Sequence, residues 1–153
     1  MIQISNKNRC CGCTACVNIC PQKCIDMRYD EEGFLYPFVN SEKCIECHAC
    51  EKICPFYKHE GKEKKQSIYC AVQYMDEEKR RTSTAGGAFS LIADALIEQN
   101  AAVYAVGYDN MVVSHKRVTT QDALLELRGS KYVQSDLKKC FLEIKKELKT
   151  GRK

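Results

Sequence analysis

Apolar and polar positions change rhythm along this chain, and the changes mark its elements. Ile25, Met27 and Tyr29 alternate with polar neighbours, residues 30–33 offer a turn, and residues 34–39 return as a second strand. Pro37 has no N–H to give to a ladder, which makes the return strand an edge. Further on, residues 68–74 read as a strand. Residues 86–99 read as a helix with Phe89, Ile92, Ala93, Leu96 and Ile97 on one face, ended by Asn100. Residues 102–108 read as a buried strand, Asp109 and Asn110 as a turn, and residues 111–118 as another strand. A short helix is expected over 121–127, capped by Thr119 or Thr120. Residues 136–149 then carry Leu137, Cys140, Phe141, Ile144 and Leu148 at helical spacing, with lysines on the wet face and Gly151 as the cap. Helices and strands alternate over this second region, an α/β pattern.

Length and composition divide this pattern rather than alter it. The 153 residues suit one ordinary domain or two small ones. A Lys- and Glu-rich stretch with Gly61, residues 58–67, reads as a solvated linker between a cysteine-rich piece, 1–57, and a cysteine-poor one, 68–153. No run approaches the roughly 20 apolar residues that would span a bilayer. The formal charge is +4 with every thiol counted neutral. Metal-bound thiolates would bring the chain close to neutral, so no nucleic-acid partner is expected.

Twelve cysteines supply the candidate chemistry. Cys10, Cys13, Cys16 and Cys20 precede Pro21. Cys44, Cys47, Cys50 and Cys54 precede Pro55 with the same spacing, and Ala15 and Ile19 recur as Ala49 and Ile53. Two copies of C-x-x-C-x-x-C-x-x-x-C-P resemble the bacterial-type two-cluster ferredoxins, whose cysteines hold two [4Fe–4S] clusters. Three thiols two residues apart can face one iron–sulfur cube from a single tight loop. The resemblance implies that the fourth ligand crosses over, so that Cys10, Cys13, Cys16 and Cys54 hold one cluster and Cys44, Cys47, Cys50 and Cys20 the other. Gly12 allows close backbone approach to sulfur. A zinc ribbon would use two C-x-x-C pairs and leave half these cysteines and both prolines unexplained. A secreted disulfide scaffold has no support in the opening Met-Ile-Gln-Ile-Ser-Asn-Lys, and many free thiols point to a reducing cytoplasm. Cys11 and Cys24 fall outside the ligand spacing and are expected to be buried near a cluster, while Cys70 and Cys140 read as core. The hairpin's Tyr and Phe residues read as cluster shielding.

Two later phrases are less decisive by themselves. Residues 81–90 bring Thr82, Ser83, Gly86 and Gly87 to a helix start, a setting that suits an anion, although an ordinary helix start has the same features. Residues 128–135 place Arg128, Ser130, Lys131 and Tyr132 between two helices. In order, the cysteine phrases, Thr82-Ser83-Thr84-Ala85-Gly86-Gly87-Ala88-Phe89 and Arg128-Gly129-Ser130-Lys131-Tyr132-Val133-Gln134-Ser135 resemble the beta-subunit family of coenzyme F420 hydrogenases and dehydrogenases over nearly the whole chain.

That resemblance implies FAD near Thr82, Ser83, Gly86, Gly87, Ser130, Lys131 and Tyr132. It implies an oxidoreductase subunit relaying electrons between a soluble two-electron carrier, F420 or another, and a one-electron redox partner. Family members are longer, which implies a truncated gene, a fragment or a split subunit holding only part of the flavin domain. The fold expected is therefore α+β, a small two-cluster ferredoxin-like domain followed by a partial α/β flavin-type domain. The competing expectation is a stand-alone electron carrier or docking module without catalytic activity.

Overall fold

A computed structural model of the chain describes residues 1–57 and 67–152. It forms two compact units, Met1–Lys65 and Gln66–Lys153, each with its own small core. The expected linker lies outside the described residues except for Ser67.

The first unit is a doubled half. A 3₁₀ turn at Lys7–Arg9 leads to helix α1 (Ala15–Ile19) and strand β1 (Ile25–Tyr29). Strand β2 (Leu35–Val39) precedes a 3₁₀ turn at Ser41–Lys43 and helix α2 (Ala49–Ile53). The repeat is structural as well as sequential. Asn6 and Asn40 cap the two 3₁₀ turns through side-chain oxygens that accept from Asn8 N–H and Glu42 N–H. Thr14 and His48 both enter their helices from the left-handed region, at φ 59° and 57°. β1 and β2 pair antiparallel, Ile25 opposite Val39 and Tyr29 opposite Leu35, as the alternation predicts. Asp30 closes the turn by accepting from Glu32 N–H and Phe34 N–H. The buried core is Ile2, Cys16, Cys24, Ile25 and Cys50. Three of these five are cysteines, so apolar burial alone leaves the unit thin and bonds through sulfur are its natural staples. The hairpin aromatics do not shield the cavities as expected: Tyr29, Phe34 and Phe38 are exposed, and Phe38 stacks under the Arg28 guanidinium at 3.4 Å.

The second unit contains helix α3 (Glu77–Arg81), helix α4 (Ala88–Glu98), strands β3 (Val103–Asp109) and β4 (Val112–Val118), helix α5 (Gln121–Leu124) with a 3₁₀ turn to Leu127, and helix α6 (Cys140–Lys149). Several local signals act as read. Asn100 ends α4 at φ 60°, where Ala101 N–H reaches the Leu96 carbonyl at 3.0 Å and Asn100 N–H that of Ile97 at 2.8 Å. Gly151 ends α6 the same way at φ 79°, and Thr120 caps α5.

Four expectations fail for non-local reasons. Residues 68–74 form no strand, because no neighbouring strand pairs with them; Ile68 and Tyr69 are almost fully exposed. The α/β pattern is realised among the described residues only as the antiparallel β3–β4 hairpin, plus one parallel bridge between Ser114 and Asp136. That bridge keeps Asp136 extended, so α6 starts four residues later than expected, and Phe141 and Leu148 are exposed. The buried face of α4 is Ser90, Ala93 and Asp94 with partly buried Ile97, whereas Phe89, Ile92 and Leu96 are exposed. Ala93 packs with Val118, Leu124 and Leu127. Leu124, 1% exposed, alone contributes about 2 kcal/mol of apolar burial.

Candidate functional site

In the first unit the repeat builds two thiol-lined cavities. Cys10, Cys11, Cys13 and Cys16 line one with Cys54, and Cys44, Cys47 and Cys50 line the other with Cys20 and Cys24. Each cavity therefore combines three thiols of one phrase with the last thiol of the other. This follows from the packing of α1 against α2, which carry Cys16 and Cys50 inward and end beside Cys20 and Cys54. Pro55, Met27, Pro37 and Phe56 complete the first cavity; Pro21, Ile25, Val39 and Ile45 help enclose the second. Among the described residues, no three His, Cys, Asp or Glu side chains converge on a single-ion site.

The backbone serves these thiols with N–H groups. Gly12 N–H donates to the Cys10 sulfur and Ala15 N–H to that of Cys13. Gly12 does so from φ 64°, a conformation that suits a residue without Cβ. Burial raises the Cys10 and Cys13 thiols and pushes Cys16 up to about 12, so these thiols ionise only against positive charge. Cys20 behaves oppositely. Burial raises it, but bonds from the N–H groups of Cys24, Gln22 and Lys23 and from the Cys24 side chain outweigh that and hold it below the ordinary thiol value. Cys24 is buried as expected, but Cys11 is exposed, at the rim of the first cavity between half-buried Cys10 and buried Gly12. His48, exposed, pairs with Glu51 at 2.8 Å.

The second unit brings its two polar phrases to one place. Residues 83–90 and 127–131, with Ala105, Val106 and Val133, line a cavity of about 420 Å³, within the usual range for small-molecule sites. The helix α4 starts on its wall at Gly87, φ 83°, with no side chain capping its first turn. Gly86 needs its bare Cα, because a Cβ there would sit 2.6 Å from the Val72 carbonyl oxygen. Of the residues the sequence reading named, Ser83, Gly86, Gly87, Ser130 and Lys131 line the cavity. Lys131 is turned inward on its own loop, donating to the Leu127 and Arg128 carbonyls at 2.8 Å each, and burial lowers its pKa.

Two residues depart from expectation. Thr82 does not line the cavity; its hydroxyl accepts from Arg128 Nη1 at 3.1 Å and so ties the two phrases together. Tyr132 does not line it either and is 91% exposed. Arg128, named in the second phrase but not among the residues implied to hold FAD, does line it, and its buried Nε has no hydrogen-bond partner among the described residues. Nearby, Asp94 accepts from Tyr74 Oη at 2.9 Å and Lys79 Nζ at 2.8 Å, anchoring the segment before the cavity to α4. Cys140 is buried as expected, while Cys70 is exposed because residues 68–74 have no sheet to join. His59 lies outside the described residues.

Comparison with known proteins bears on the first unit. Residues 9–57 match the family of the 4Fe-4S dicluster domain, and the match ends before the second unit begins. No match to the chain was found among curated proteins. The first unit thus contains a ferredoxin-like domain for iron–sulfur clusters, with a role in electron transfer and hence a redox partner. Among the described residues, no helix is long and apolar enough to cross a membrane.

Proposed function

We propose that this chain is the iron–sulfur part of a flavin-dependent oxidoreductase. Two [4Fe–4S] clusters in the first unit would exchange single electrons with a partner protein or subunit. FAD at the cavity of the second unit would exchange two electrons with a soluble carrier, F420 or another. Bound clusters and flavin together supply the conversion between one- and two-electron chemistry.

The observation that carries the reading is the pair of thiol-lined cavities. Cys10, Cys13, Cys16 and Cys54 are the ligand set for one cluster, and Cys44, Cys47, Cys50 and Cys20 for the other. The donor set fits: the four thiols of each set line one cavity, and N–H groups point at sulfur, a recognised means of tuning cluster potential. Crossing the fourth ligand locks α1 to α2. The second unit's residues fit a phosphate-bearing cofactor. The first turn of α4 offers uncapped N–H groups to an anion, and Arg128 supplies positive charge through an N–H with no other partner among the described residues. Thr82 holds Arg128 in place, and Lys131 fixes the loop that carries Ser130.

A stand-alone electron carrier, its second unit used for docking, is the alternative favoured by the family match stopping at residue 57. Anaerobic purification followed by iron, sulfide and zinc analysis, then titration with FAD, decides between these readings. The expected result is about eight iron and eight sulfide per chain with one FAD bound. Gly86→Ala should abolish FAD binding and keep the iron. Zinc without iron would overturn the cluster reading. Full iron with no FAD uptake would leave the electron carrier.

A further inference from the structure

Cys54 lines two spaces. One is the first thiol-lined cavity; the other is a separate surface groove of about 150 Å³, walled also by Gln3, Arg9 and Tyr57. Ile4 and Phe56 belong to both as well. The two spaces share this wall, so a group seated in the groove is one side chain away from whatever Cys54 binds. Among the described residues, Arg9 is the only charged side chain lining the groove.

The chain makes this groove cationic and holds it so. Arg9 Nη2 donates to the Phe56 carbonyl at 2.7 Å, which pins the guanidinium at the groove. That is its one hydrogen bond among the described residues, so most of its N–H donors remain for a ligand. No described carboxylate pairs with it, and Asp30, the nearest acid in sequence to be engaged, is bound to Lys7 at 2.6 Å. Residues 1–25 contain no Asp or Glu at all. The repeat supplies an internal contrast: where the first half has Asn8 and Gly12, the second has Glu42 and Glu46. Phe56 and Tyr57 are 42% and 45% exposed. An arginine beside exposed aromatics is the residue mix that carries most of the energy of protein interfaces.

We propose that this groove docks the redox partner, and that the partner presents an acidic face whose carboxylate pairs with Arg9. The inference rests on the cluster reading above, with Cys54 a ligand of the first cluster. A carboxylate matches two parallel guanidinium N–H groups, and Phe56 and Tyr57 keep water from the pair. Docking there sets the partner's acceptor against Cys54. One electron passes per encounter: this protein is oxidised by one, the partner's acceptor is reduced by one, and no bond is made or broken. Opposite charges speed the encounter, and salt weakens that effect.

The test uses the full-length protein, purified anaerobically with its clusters. Hexacyanochromate(III), a redox-inert paramagnetic anion, should broaden the nuclear magnetic resonance signals of Gln3 and Tyr57 before those of Ile45 and His48 at the second cavity. The cation hexaamminechromium(III) should not; the opposite order would overturn the inference. Stopped flow then follows electron transfer from the reduced protein to two protein acceptors, an acidic flavodoxin and the basic cytochrome c. Arg9→Gln should slow flavodoxin reduction roughly three- to ten-fold at low ionic strength, much less at high salt, and should not slow cytochrome c. Arg28→Gln removes the same charge from the hairpin and should leave both rates within about two-fold of wild type. Equal slowing with both acceptors, or in both variants, would overturn the proposal and leave the cluster reading intact. A wild type without iron would instead sink the cluster reading itself. The broadening measurement needs wild type alone, so it decides the matter even if Arg9→Gln loses its clusters.

Discussion

Glu46 adopts the left-handed backbone that Gly12 adopts one repeat earlier, φ 51° against 64°. The two residues follow Cys10 and Cys44 by two positions and shape corresponding cysteine loops. Gly12 is buried on its cavity wall and meets this demand freely, whereas exposed Glu46 meets it against its own Cβ. Substitutions at the two sites should therefore have opposite signs. Gly12→Ala should cost roughly 1–2 kcal/mol, read as faster bleaching of cluster absorbance on heating. Glu46→Gly should bleach no faster than wild type.

Asp94 is the hinge of the second unit's polar anchor. Its carboxylate is buried and receives both Tyr74 Oη and Lys79 Nζ, while the Lys79 side chain is 32% exposed. Asp94→Ala should destabilise this unit by about 2 kcal/mol, less than a fully buried pair would lose, because Lys79 can turn to water. Thermal denaturation of the full chain measures this. The iron content should stay unchanged.

His115 gives the second unit a dependence on mild acid. Burial lowers its pKa, only partly offset by Asp136, and its Nδ1 lies 3.0 Å from Ser135 Oγ. The unfolded chain takes up the proton near pH ~6.5, before the folded chain does. This contribution is therefore complete above that pH and is lost as pH falls toward the depressed folded value. Between about pH 7.5 and 5.5, the wild-type thermal midpoint should drop further than that of His115→Gln. Equal drops would remove His115 from the account.

The β3–β4 turn carries avoidable strain. Asp109 pairs with Val112, leaving Asn110 and Met111 as a two-residue loop at φ 45° and 72°. Such a loop favours Asn-Gly, and the Met111 side chain is 93% exposed. Met111→Gly should stabilise the unit by up to about 1 kcal/mol, seen as a higher denaturation midpoint.

Much of this protein was legible in its residues because the signals are local. Cysteines at fixed spacing face inward from one loop whatever surrounds them. Alternation and a turn suffice for the β1–β2 hairpin, and Thr120, Asn100 and Gly151 cap helices through bonds to their own neighbours. Periodicity was enough to find α4 and α6 but not their buried faces. Ser90 and Asp94 are inside while Phe89 and Ile92 are outside, since the Tyr74–Lys79–Asp94 bonds set how α4 is oriented.

Only tertiary structure decided the rest. A strand exists when another strand supplies its partners, and residues 68–74 have none among the described residues. Thr82 and Arg128 are 46 positions apart, yet one hydrogen bond joins them, and the phrases around them wall one cavity. Cys20 and Cys54 likewise reach the opposite cavity through the packing of α1 on α2. Spacing along the chain determines which thiols can act together within a loop; folding determines which distant groups they meet, because contacts between remote segments depend on the packing of the whole unit.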